Sequence, residues 1–143
     1  MVNILLEGYE INSDYLYDDL KKYILTDYSV AVIAFSFRDS EAKNSTEWNL
    51  LYSKEKGIYY RGIVSGFTAY GILENNITFV NYFEDTKESA KQKIENADIL
   101  YLGQWLSVYH NRALEQYDDE NYLKELKIEI KSDLKLKFSV LAD

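Results

Sequence analysis

The sequence predicts a single three-layer α/β domain, with a largely parallel sheet covered by helices on both faces. Three observations carry this. Val30-Ala31-Val32-Ile33-Ala34-Phe35 is an almost unbroken apolar run, too apolar for a strand with one face in water. Comparable short runs alternate along the chain with segments of helical period, the pattern of strand-helix-strand units. The chain has 143 residues, enough to bury a core without staples and ordinary for one domain over residues 1–143.

The elements follow in order. Val2 to Leu6 is a short apolar strand closed by Gly8. Leu16, Leu20, Tyr23 and Ile24 recur at helical spacing behind the capping residues Asn12, Ser13 and Asp14. Ser29 to Phe37 is the central strand, and Arg38 to Ser45 is the one linker-like stretch. A helix is expected around Trp48 to Ser53. A second, from about Ile58 to Tyr70, would set Ile58, Gly62, Ile63, Gly66 and Phe67 on one closely packed face, with Gly71 as its C-cap. Ile77 to Phe83 is the third strand, and Asp85-Thr86-Lys87-Glu88 marks a capped helix start ahead of Ala90, Ile94 and Ala97. Asp98 to Gly103 is the fourth strand. Helices over Leu106 to Tyr117 and Glu120 to Ser132 and a strand over Leu134 to Leu141 complete the chain.

Composition narrows the function. The formal charge of −8 repels phosphate backbones, which argues against a nucleic-acid partner. No run approaches the ~18 apolar residues of a membrane span, and Met1 to Leu6 lacks a basic leader, so a cytoplasmic protein with no membrane partner is expected. The absence of Cys removes disulfides, thiolate metal sites and a Cys nucleophile. No cofactor is implied. Fourteen tyrosines suit half-buried sites and interfaces, although ordinary core and surface tyrosines are the plainer reading.

Ligands of open α/β sheets bind outside the carboxyl ends of the strands. That rule selects Ser36, Arg38 and Asp39 after the second strand and Gly103 and Gln104 after the fourth. Arg38 and Asp39 could hold a substrate carboxylate or amine; a solvated ion pair is the blander alternative. His110 is the only histidine, and without a second His or a Cys it is a poor metal ligand. It is a candidate general base if a nucleophile lies within reach, and Ser139 is the candidate nucleophile. Lys137 and Leu141 occupy places where a strained nucleophile elbow needs small residues, which favours an ordinary strand serine.

Four stretches resemble type 1 glutamine amidotransferase-like proteins of the peptidase E and cyanophycinase kind. They are Met1-Val2-Asn3-Ile4-Leu5-Leu6, Tyr15-Leu16-Tyr17-Asp18-Asp19-Leu20, Val30 through Asp39, and Ala97-Asp98-Ile99-Leu100-Tyr101-Leu102-Gly103. The resemblance spans about residues 1–103 and implies the class I amidotransferase-like, flavodoxin-like half of that fold, complete or incomplete in this chain. It implies a glycine-rich oxyanion loop at Gly103, where Gln104 and Trp105 replace small residues. It also implies a Gly-x-Ser-Ala-Gly elbow, which Lys137-Phe138-Ser139-Val140-Leu141 does not match. Residues 104–143 depart from the family, as a premature stop, a frameshifted tail or true divergence would produce. The expectation is a degenerate, inactive member that self-associates as a homodimer. The alternatives are a serine hydrolase cleaving a small acidic peptide or amide, with Ser139, His110 and the Gly103 amide, and a small-ligand binding module.

Overall fold

The computed structural model describes residues 1–7, 11–34, 42–105, 123–124 and 127–142. Five strands form one all-parallel sheet: β1 (Val2–Glu7), β2 (Val30–Ala34), β3 (Ile77–Asn81), β4 (Ile99–Trp105) and β5 (Leu136–Ala142). Their spatial order is β1-β5-β4-β2-β3, so β1 and β3 are the edges and β4 is central. Read from the β3 side, this is the 2-1-3-4-5 order of flavodoxin-like sheets, with the chain's first strand placed last.

The helices are α1 (Asp14–Leu20), α2 (Ser45–Tyr52), α3 (Tyr60–Thr68) and α4 (Lys87–Glu95). Strand side chains alternate between faces, and the core divides accordingly. Val30, Val32, Ile99, Tyr101, Leu136, Phe138 and Val140 meet α1, α2 and α3 on one face. Ala31, Ile33, Val80, Leu100 and Leu102 meet α4 and the segment carrying Leu123, Ile128 and Leu134 on the other. Steps toward the β3 edge pass over the first face and steps back pass over the second, as crossovers of one hand require. The three-layer architecture expected from the sequence is therefore present.

Local chemistry explains several helix ends. Asn44 caps α2 by accepting from the Glu47 N–H at 2.9 Å. Thr86 and Ser89 form a reciprocal capping box at α4. Gly71 has φ +92°, a left-handed backbone that favours glycine, in the turn after α3. A Cβ on Gly66 would stand 2.8 Å from Ile11 Cγ1, so this glycine lets α3 approach the segment before α1.

Several expectations are corrected. The helix expected from Ile58 begins at Tyr60, because Ile58 and Tyr59 instead donate their N–H groups to the Leu50 and Leu51 carbonyls; Ile58 is 69% exposed and Gly62 faces open space. The third strand stops at Asn81, where the turn to Asp85 begins. The fourth does not stop at Gly103 but continues through Trp105, paired with β5 to the end. The helix expected to reach Ser132 ends earlier. Ile128 donates to the Leu123 carbonyl and Lys127 to that of Lys124, with Lys127 at φ 56°, the double bond of a Schellman ending. Residues 35–37 of the second strand and the helix over 106–117 lie outside the described residues.

Candidate functional site

The carboxyl ends of β2 and β4 lie side by side, and the chain leaves them over opposite faces of the sheet, which defines a topological switch point. The residues that follow β2 directly, Ser36, Arg38 and Asp39, lie outside the described residues, as does His110.

The described polar groups at this end of the sheet centre on the turn after β3. The buried Asn81 side chain accepts from the Phe83 and Glu84 N–H groups at 2.9 and 3.2 Å and so shapes the turn. Asp85 folds back and accepts from the Asn81 N–H at 2.6 Å, from Ser89 Oγ at 2.8 Å and from Lys93 Nζ at 2.8 Å. Lys93 also donates to the Phe79 carbonyl at 3.1 Å. Burial pushes the Asp85 pKa up, but the Lys93 bond, the Asn81 N–H, Ser89 and the Lys93 charge outweigh it, and the net direction is down. A carboxylate with its acceptors so occupied is a structural anion, poorly suited to proton transfer. Ser45 Oγ at the start of α2 donates to Glu84, which ties this turn to the neighbouring helix.

On the second face, Thr78, Ser89, Gln92, Lys93 and Asn96 line a groove of about 240 Å³ between α4 and β3. It is smaller than the ~300–1,000 Å³ of ligand pockets. Ser89 and Lys93 are already engaged with Asp85. Ser29 joins the groove's end and hydrogen-bonds through its Oγ to the Asn96 carbonyl and through its N–H to Asp98. Among the described residues no group of three His, Cys, Asp or Glu side chains could hold a metal ion, and no helix is long and apolar enough to cross a membrane.

Ser139 is the fourth of the seven residues of β5, with β1 and β4 on either side and Leu5 and Leu102 in register. Its neighbours Phe138 and Val140 face the first layer of helices, so Ser139 faces the second. Gly103 is buried within β4 opposite Val140, and Gln104 follows opposite Leu141. Both are ladder residues where the family resemblance implies a loop. Sequence reasoning missed the Asp85–Lys93 pair. The capping signal at Asp85-Thr86 was the only trace of it, because Lys93 reads as an ordinary solvated helix lysine until the strand order places it over an edge.

Comparison of the chain with protein-family models, with curated proteins and with solved structures gave no match.

Proposed function

We propose that this chain is a catalytically silent relative of the type 1 glutamine amidotransferase-like proteins, of the peptidase E and cyanophycinase kind, which acts by self-association as a cytoplasmic homodimer. One observation supports the silent state above all: the β4–β5 ladder runs unbroken through Gly103-Gln104-Trp105 and through Ser139. An oxyanion hole needs backbone N–H groups turned out of the ladder toward developing charge. A serine nucleophile needs a sharp strand-to-helix turn to present its hydroxyl. Ser139 instead has three further strand residues after it.

The test is incubation with a fluorophosphonate probe, which phosphonylates activated serines with loss of fluoride. No labelling is expected. Labelling that Ser139→Ala abolishes would establish the serine hydrolase alternative, with its small acidic peptide or amide substrate.

The switch point between β2 and β4 favours a second reading, a small-ligand binding module built on Ser36, Arg38 and Asp39. A panel of amino acids and acidic dipeptides should then raise the melting temperature of the wild type and leave Arg38→Ala unmoved.

A further inference from the structure

A parallel sheet has two edges, and each presents backbone N–H and C=O groups that can template another strand unless something blocks them. The two edges of this sheet are treated differently. At β3 the Phe79 carbonyl accepts from Lys93 Nζ, the Asn81 N–H is held by Asp85, the Asn81 carbonyl accepts from the Asp85 N–H, and the Ile77 N–H is bound to the Glu74 carbonyl. The Asp85–Lys93 pair thus lies across the end of this edge and obstructs an incoming strand. At β1 no such device exists among the described residues. Val2 donates its N–H inward to the Lys135 carbonyl. Because backbone polar groups of a strand alternate in direction, Asn3 and Leu5 turn both their N–H and C=O groups outward. Val2 to Leu6 contains no charged residue and no proline, and Leu5 is 69% exposed.

We infer that the β1 edge is the surface through which two copies of this chain pair, antiparallel about a two-fold axis at Ile4, to make one continuous ten-stranded sheet. This gives the self-association proposed above its surface, and it rests on that reading but not on the family resemblance. The sequence of the strand is self-complementary in this register. Asn3 meets Leu5 of the second copy in both narrow pairs, so the outward N–H and C=O groups of Asn3 and Leu5 all find partners in each copy. Ile4 meets Ile4, and Val2 meets Leu6. Ile4 and Leu6 already pack against the first core layer, so the layer becomes continuous across the axis. Charge selects a second copy as the occupant: in a chain of net charge −8, the uncharged run Val2–Leu6 is where two copies meet with least repulsion, and Glu7, which ends β1, falls opposite Met1 of the second copy. An isologous contact of this kind closes at the dimer.

The experiment combines light scattering after size exclusion with amide hydrogen exchange on the full chain, from low micromolar to millimolar concentration. A strand edge is a small interface, so the mass should rise with concentration from 16.8 kDa to twice that value. The Asn3 and Leu5 amides should exchange at least about tenfold more slowly at the high end than at the low end. Leu5→Pro removes an outward N–H without touching the inner ladder, and Ile4 before it is already extended. It should remain monomeric with unchanged far-ultraviolet circular dichroism. Leu5→Lys, which adds an edge charge without altering the backbone, should do the same and covers the case in which the proline variant does not fold. A monomer at every concentration overturns both the surface and the self-association. A dimer whose Asn3 and Leu5 amides remain unprotected, or one that folded Leu5→Lys leaves intact, overturns the surface alone.

Discussion

Asp85→Ala is the most informative single substitution in the described part of the chain. Asp85 is only 9% exposed and accepts three hydrogen bonds, from the Asn81 N–H, Ser89 Oγ and Lys93 Nζ. Removing one partner of a buried ion pair costs about 3–5 kcal/mol, because the remaining charge and donors are stranded. Lys93 is 32% exposed and can turn to water, which sets the expectation at the lower end, about 3 kcal/mol. With a urea slope of about 2 kcal/mol/M, the midpoint should fall by roughly 1.5 M. Asp85→Asn keeps an acceptor for Asn81 and should lose about half as much. The pH dependence has a fixed sign. A folded-state pKa held below the ordinary carboxylate value contributes stability that is present above about pH 4 and lost as the pH falls through the folded value. The gap between wild type and Asp85→Ala should therefore narrow below pH 4. A midpoint shift under about 0.3 M at neutral pH, or a gap that stays constant into acid, would refute the electrostatic account of this corner.

Three further predictions follow from the same structure. Lys93→Met keeps the aliphatic stem but loses the donor to the Phe79 carbonyl, so it should open the second edge and produce species larger than a dimer in light scattering. Phe67 is fully buried and meets Tyr101 and Phe138 edge-on at 5.7 Å, so Phe67→Ala should cost about 3–5 kcal/mol in urea denaturation. Tyr60 donates to Glu74 at 2.9 Å, and burial, with that bond and the Glu74 charge, pushes its pKa up to about 12. Its contribution is fully present below pH 10 and is lost as the pH rises toward 12; Tyr60→Phe should flatten the alkaline fall in urea midpoint.

The elements legible in the sequence were those whose signal is local. Val30 to Ile33 and Ile99 to Leu102 announce themselves because a strand buried on both faces must be apolar at every position. The start of α4 was legible because a cap is a contact between residues three apart, here Thr86 and Ser89. Where the signal is tertiary, the sequence was silent. Nothing local distinguishes a Gly103 that ends a strand from one that β5 holds in a ladder for two residues more. The Schellman ending at Lys127 was invisible for a related reason: the position that favours glycine holds a lysine, and the pairing of Leu123 with Ile128 in the second core layer compensates. The candidate site shows the same division. Ser139 is legible as a strand residue, but its neighbours Leu5 and Leu102 come from strands more than thirty residues away, so its place between β1 and β4 is not.

The strand order turns these separate facts into one argument about function. A chain whose first strand lies at one edge, with its last strand inserted between that edge and the centre, uses β5 to hold β1 in place. Ser139 lies in the ladder that joins β1 to β4, and the same ladder presents the outer side of β1. The opposite edge is obstructed by a part-buried carboxylate and a lysine that sequence reasoning would assign to solvent. Among the described residues a guarding device is present at the β3 edge and none at the β1 edge. The proposed pairing through β1 is the reading that makes use of this asymmetry.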